Sequence, residues 1–224
     1  MLRFFPLSSD FNRPIGKEHD PVTARQPEAP APFARAAVQI FAVNERINQL
    51  LIEHLDTRAW TAKPPGKART IAAIFTHLHN VRTKWVRLTA PHLKIPQQLD
   101  RHHCTQKQAR TGLTKSAASC QQMLAEALGG ASPIEKFVRD GWARPWPPGP
   151  EMLCYMLTHE AHHRGQVCLL AHQLGFPLPK QVAYGIWNWE KLWKDCGAAN
   201  GPGHDSLAGS PPLQKPQGWA TRRP

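Results

Sequence analysis

The sequence contains no run of alternating apolar and polar residues of the kind that forms strands, no internal repeat and no apolar run long enough to span a bilayer. The first absence argues against a β-sheet, the second against a solenoid or propeller, and the third against an integral membrane protein. What remains is an α-helical domain, and a chain of 224 residues is long enough to bury a core of its own.

Cysteine offers no framework for disulfides. The five cysteines are odd in number, and no two of them stand at the C-x-x-C spacing: Cys104, Cys120, Cys154, Cys168 and Cys196. This pattern is typical of reduced thiols. The apolar patch at residues 4–7 is too short for a signal peptide. We therefore expect a cytoplasmic protein.

Proline and glycine are unevenly distributed and suggest where the folded part lies. Residues 1–32 contain six prolines, and residues 197–224 are rich in glycine, proline, serine and other polar residues. Segments of this composition cannot bury enough apolar surface to fold. We therefore predict a disordered tail at 1–32, a folded domain at 33–196 and a second disordered tail at 197–224.

Acidic residues are too few to balance the basic ones, and the net charge is +12. Most of this excess falls within the predicted domain, where it would attract phosphates, anionic metabolites or nucleic acid. The basic residues of the second predicted helix, which include Arg82 and Lys84, follow no groove-reading motif. A solvated basic face is therefore the favoured interpretation, with nucleic-acid binding as an alternative.

Apolar side chains recur at intervals of three and four residues and predict four long amphipathic helices. Their expected ranges are 32–56, 70–89 with Thr70 as N-cap, 105–128 and 151–175. Residues 131–150 include the segment VRDGWARPWPPGP, whose four prolines and two tryptophans predict a packed irregular loop. Residues 179–196 predict a short helix or a pair of turns, in which Trp187, Trp189 and Trp193 would cover the end of the bundle. The sequence thus predicts an all-α four-helix bundle with a short C-terminal helical cap.

The fourth predicted helix, EMLCYMLTHEAHHRGQVCLLAHQLG, holds the densest group of metal-ligand side chains. His159 and His163 are one turn apart on one face, and Gln166 follows on the same face. The rest of this face is apolar, with Met152, Met156 and Leu170. Two neutral imidazoles in this arrangement can hold one divalent ion. His162 lies only about 60° from His159, so helix geometry leaves it open as the ligand in place of His163.

The second predicted helix offers a third imidazole. His77 lies on or beside the apolar stripe, whereas His79 is about 200° away and cannot share its target. Three imidazoles meeting inside a bundle leave a coordination position for water or substrate, as in catalytic rather than structural sites. His92, His102 and His103 have irregular spacing and are predicted to be solvated loop residues.

Three segments together resemble a known family: RTIAAIFTHLHNVRTKW in the second helix, HEAHHRGQV in the fourth, and LGFPLPKQVAYGIWNWE after it. They are similar to the DinB/YfiT-like family of bacterial four-helix-bundle metalloproteins, over roughly residues 33–193. The resemblance implies a divalent ion bound by three histidines. Carried over by position, these are His77, His159 and His163, which favours His163 over His162.

The same resemblance implies an enzyme that acts on a small molecule. Related families use such a site in thiol-dependent transferase or isomerase chemistry and in hydrolysis, so a low-molecular-weight thiol is an expected co-reactant. Imidazole ligands suit several metals, among which we favour Zn²⁺ or Ni²⁺. No general base is evident, and hydrolysis and thiol transfer both stay open. The alternatives are a bundle that holds metal without turnover and a nucleic-acid-binding bundle, and a homodimer is compatible with the sequence.

Residues 159–163 also spell the H-E-x-x-H motif of zinc proteases, in which Glu160 would be the general base. The longer metzincin motif fails because Gln166 stands where a glycine is required. In addition, no strand is predicted that could hold a peptide substrate. A protease is therefore a minor alternative.

Overall fold

The structure is a computed structural model that describes residues 32–130, 132–139 and 144–197. Within these ranges it has seven helices: α1 Pro32–His54, α2 Thr57–Thr61, α3 Ile71–Thr89, α4 Gln106–Leu128, α5 Pro150–Gln173, α6 Lys180–Gly185 and α7 Trp189–Asp195. β-type pairing in the same ranges is limited to one isolated bridge between Phe137 and Trp146. The all-α prediction is confirmed. The predicted tails, apart from Pro32 and Gly197, lie outside the described residues.

The four long helices close into a ring, because α1 packs against α4 and α5, and α3 packs against the same two helices. This arrangement is the predicted four-helix bundle. Helix starts agree with the capping chemistry: the Thr70 hydroxyl accepts from the backbone N–H of Ala73, and Thr105 forms a reciprocal capping box with Gln108. Among the helices of the described ranges, none combines the length and apolarity that crossing a membrane demands.

The short helices pack against the long ones: α2 contacts α3, and α6 and α7 contact α1. Helix α2 was not predicted, and its Trp60 side chain donates from Nε1 to the backbone oxygen of Cys104 at 2.7 Å. Helices α6 and α7 correspond to the predicted terminal turns. Leu192 and Trp193 of α7 pack against α1, but Trp187 and Trp189 are 75% and 39% exposed. The prediction that Trp187 and Trp189 cover the end of the bundle is therefore wrong. Trp187 precedes α7, and Trp189 is its first residue.

Besides the small cluster between α1 and α7, the interior contains two larger apolar clusters with a polar layer between them. One cluster includes Leu51, Phe75, Leu113 and Val167. The other includes Phe41, Trp85, Cys120 and Met156. Between them along the four long helices lie buried polar side chains, namely Asn44, Glu45, Asn48, Arg82, Ser116 and Glu160.

Arg82 occupies the centre of this polar layer and is fully buried. Its Nε and Nη2 atoms each donate to one carboxylate oxygen of Glu160 at 2.6 Å. Its Nη1 atom donates to Glu45 at 2.6 Å and to the backbone oxygen of Leu113 at 3.1 Å. One guanidinium on α3 thus bonds to α1, α4 and α5. The interpretation of Arg82 as part of a solvated basic face is wrong, because its charge is neutralised by carboxylates inside the bundle.

The other side of Glu160 is joined to α1. Its Oε2 atom accepts from the amide nitrogens of Asn44 and Asn48 at 2.6 and 2.8 Å, and Arg164 donates to the Asn44 side-chain oxygen at 2.6 Å. Burial acts to raise the pKa of the Glu160 carboxyl, but the charge and hydrogen bonds of Arg82 outweigh burial and hold the pKa below its ordinary value. Glu160 is therefore ionised at neutral pH.

Replacing Arg82 with methionine should strongly destabilise the fold, because Glu160 would be left buried without its counter-ion. We expect Arg82→Met to lower the free energy of unfolding by about 3–5 kcal/mol, measured by urea denaturation followed by circular dichroism. The matched control is Arg46→Met, which removes a partly exposed ion pair with Glu53 at 3.2 Å and should cost far less. Equal losses in the two variants would contradict a central role for Arg82.

Candidate metal centre

His77 on α3 meets His159 and His163 on α5 at the edge of the polar layer. Each ring offers one nitrogen, and these three atoms all lie within 4.8 Å of one another. The ring centroids are 5.4 Å apart for His77 and His159, 4.8 Å for His77 and His163, and 4.7 Å for His159 and His163. We call these three side chains the histidine group. Their predicted convergence is observed, whereas their role as metal ligands stays a prediction.

The sequence explains the convergence locally. His159 and His163 project from successive turns of α5, and α3 is the neighbour of α5 in the ring of helices. Aromatic rings pack around His159: the Trp85 ring centroid lies 5.4 Å from its own, and the Tyr155 centroid lies 6.4 Å away. These contacts fix the position of the His159 ring.

Gln166 determines the proton position on His163. The Nδ1 atom of His163 lies 2.7 Å from the Gln166 Oε1 atom. An amide oxygen can only accept a hydrogen bond, so Nδ1 carries the proton. The Nε2 lone pair of His163 is therefore available to an ion. Gln166 was predicted to follow His159 and His163 on the same face of the helix, and this contact agrees with that position.

His162 stands outside the histidine group. It is exposed, and its Nε2 atom lies 3.0 Å from the Gln166 Nε2 atom, which is a donor. His162 thus accepts from the same amide that orients His163. Of the two candidates that helix geometry left open, the structure places His163 with His77 and His159.

All three rings of the group are held in the neutral form. Burial is the largest cause and lowers the pKa of both His77 and His159 to about 4. The positive charge of Arg69 adds to burial at His77, and the neighbouring His163 adds to it at His159. Burial also lowers the pKa of His163 against the opposing hydrogen bond to Gln166. Neutral imidazoles are the form that binds metal ions.

The residues present fit a divalent ion. Within the described ranges, the buried Nδ1 atom of His159 has no hydrogen-bond partner. A buried polar atom left in this way is costly unless it meets a ligand or water. Three neutral imidazoles from two helices are a donor set that suits Zn²⁺, Ni²⁺ and related ions.

The H-E-x-x-H interpretation fails on the position of its glutamate. Glu160 is completely buried, and both of its carboxylate oxygens are bonded to Arg82. A general base must reach the water or substrate that it deprotonates. Glu160 therefore stabilises the bundle and does not have the access that the protease mechanism requires.

The remaining predicted histidines lie elsewhere. His79 is buried, with Nδ1 3.1 Å from the Ser116 hydroxyl and Nε2 2.9 Å from the Gln97 backbone oxygen, so it points away from the group as predicted. The loop histidines His92, His102 and His103 are exposed, also as predicted. These four side chains are not part of the histidine group.

A family model described as the DinB family matches residues 33–191, which include the histidine group and the four long helices apart from the first residue of α1. The chain belongs to the DinB family. The expected family and helical-bundle fold are thereby confirmed. A comparison of this DinB-family chain with curated proteins found no match.

The hydrogen bond to Gln166 predicts one tautomer for His163. In metal-free protein at pH 7, long-range ¹⁵N–¹H NMR spectra should show His163 protonated at Nδ1, because Gln166 Oε1 accepts from that atom. Gln166→Leu should weaken this preference, while Gln173→Leu, an exposed change at the last residue of α5, should leave it intact. Protonation at Nε2 in the unaltered protein would contradict the assignment.

Proposed function

We propose that this DinB-family protein is a divalent-metal-dependent enzyme for a small molecule, in which His77, His159 and His163 hold the ion. The observation that carries the proposal is the approach of three neutral imidazoles, one nitrogen from each, to within 4.8 Å of one another. Zn²⁺ and Ni²⁺ are the ions we favour. The reaction class is thiol-dependent transfer or hydrolysis.

Three protein ligands are the number found in catalytic zinc sites, where a fourth position serves water or substrate. The chemistry supplied by an ion held in this way is Lewis acidity, which lowers the pKa of a coordinated water or thiol toward neutrality. Such a site provides a nucleophile near pH 7 without a strong protein base. This property suits a bundle whose nearest buried carboxylate, Glu160, is committed to Arg82.

The chain's own residues act by positioning. Gln166 holds the His163 ring through Nδ1, and Trp85 packs on the ring of His159. Glu160 follows His159 in sequence, and its bonds to Arg82 set the rotation of α5 about its axis. The ligand-bearing face of α5 is thus locked toward α3. Ligands fixed before the substrate arrives lose little entropy in the reaction.

Metal analysis tests the site directly. Purified protein should contain about one divalent ion per chain by mass spectrometry of the metals, and His163→Ala should reduce this toward zero because a three-ligand site loses one ligand. His162→Ala and His172→Ala, both exposed residues of α5, should retain the ion. Retention in His163→Ala, or equal loss in His162→Ala, would contradict the ligand assignment.

Turnover tests the enzymatic part of the proposal. Metal-loaded and chelator-treated protein should be compared on electrophilic substrates with a panel of low-molecular-weight thiols, and on simple esters and amides without thiol. Metal-dependent turnover that needs thiol would select transfer, and turnover without thiol would select hydrolysis. Bound metal with no turnover would instead support the non-catalytic alternative.

Gln166 should affect the affinity for metal because it orients the ring of His163. We expect Gln166→Leu to weaken Zn²⁺ binding by about 10–100-fold, measured by competition with a chromogenic chelator, because His163 loses the acceptor for its Nδ1 proton. Gln166→Glu keeps an acceptor at this position and should recover most of the affinity. If both variants bind zinc as the unaltered protein does, Gln166 has no such role.

A further inference from the structure

A cavity of about 670 Å³ lies beside the histidine group on the side of His77. Its wall is formed by α3 from its N-cap Thr70 to Lys84, and by parts of the loops that precede and follow this helix. Because His77 is part of the wall, a small molecule in the cavity would lie against the histidine group. We call this space the His77 cavity.

The His77 cavity is surrounded by positive charge. Its lining includes Lys63, Arg69, Lys84 and Arg101, and among the described residues that line it none is acidic. The nearby carboxylate of Asp100 is engaged elsewhere, since it accepts from the backbone N–H of His102 and lies 2.8 Å from His103 Nδ1. A concave surface lined by one sign of charge concentrates ligands of the opposite sign.

Two of these cations lie close to the histidine group. Lys84 is seven residues after His77 and so lies two turns further along the same face of α3. Arg69 and Lys84 both line the cavity that His77 lines.

Arg69 is placed to serve a ligand rather than the fold. It is exposed, and within the described residues it forms no ion pair. It lines both the His77 cavity and a second cavity of about 360 Å³ that Gln166 also lines. Arg69 is therefore shared by the two cavities. A planar guanidinium can bind a carboxylate or phosphate through two parallel hydrogen bonds.

The far wall of the cavity is held in place before any ligand binds. Asn80 donates from its side chain to the backbone oxygen of Leu99 and accepts from the backbone N–H of the same residue, each at 2.9 Å. His79 lies 2.9 Å from the backbone oxygen of Gln97. The loop that carries Gln98 and Arg101 is therefore tied to α3 on both sides of Gln98. A preformed wall reduces the entropy lost on binding.

From this geometry we propose that the His77 cavity binds the anionic group of the substrate, a carboxylate or a phosphate, with Arg69 as its main contact. The reacting part of the same molecule then lies against the histidine group. The inference rests on the proposed function for the reaction, but anion binding itself requires only the cationic side chains. The substrate class is thus a small organic acid or phosphate ester.

The test uses the full chain, treated with chelator, and two probes, inorganic phosphate and succinate. Each is titrated at low ionic strength while the backbone amide resonances of α3 are followed by NMR. We expect saturable shifts at residues that line the cavity, such as Ala73 and Val81. Arg69→Gln should weaken binding by at least about tenfold. The matched control is Arg35→Gln, an exposed α1 residue that does not line the cavity, and it should leave binding unchanged.

The outcomes separate this inference from the proposed function. Absence of saturable shifts with both probes, or equal weakening in Arg69→Gln and Arg35→Gln, would overturn the anion site even if the protein binds metal. Arg69-dependent binding in a protein that takes up no metal would support the anion site and overturn the metal proposal. Tighter binding of one probe identifies the anionic group as phosphate or carboxylate.

Discussion

The bundle depends on the ion pair between Arg82 and Glu160. A charged guanidinium and a carboxylate are both buried completely, and such groups are tolerated only when nearly all of their hydrogen-bonding capacity is met. Here Glu45, Leu113, Asn44 and Asn48 complete the set. Together with Arg82 on α3 and Glu160 on α5, these partners on α1 and α4 join all four long helices. The relative positions of the helices are therefore determined together. Apolar packing alone would permit small rotations that this network does not.

The polar layer divides the interior and thereby creates a place for the site. Apolar clusters on either side of it supply most of the burial that drives folding. In the middle, α5 presents Glu160 toward Arg82 and the neighbouring His159 toward His77. The same stretch of helix therefore serves the fold on one side and the histidine group on the other. A site built on packed helices in this way is more rigid than one built on loops.

Much of this arrangement could be predicted from sequence, because it follows from local periodicity. Apolar spacing and the predicted N-cap Thr70 placed the ends of the long helices to within a few residues of where they are observed. The one-turn spacing of His159 and His163, and the angle between His77 and His79, placed these residues among the candidates, but the choice of His163 over His162 came from the family resemblance. Family membership then followed from the same segments.

The polar layer could not be predicted in the same way, because its bonds join distant parts of the chain. Arg82 and Glu160 are 78 positions apart, and a lone arginine on a helix resembles a solvated residue until its partner is known. Asn44 interrupted the apolar stripe of α1 and was the available signal for a buried polar contact. Trp187 and Trp189 are the opposite case, because they were predicted to pack on the bundle and are exposed. The apolar character of a side chain does not by itself show that it is buried.

Most side chains between His159 and Gln166 contribute to the fold or to the histidine group, and this limits how the segment can change in evolution. Glu160 and Arg164 bond to other helices, and Gln166 orients the ring of His163. Ala161 and Gly165 are exposed, and a methyl group added at Gly165 would meet open space. Sequence change in this segment is therefore restricted to its outward positions, Ala161, His162 and Gly165, and a larger residue at Gly165 would keep both the bundle and the histidine group intact.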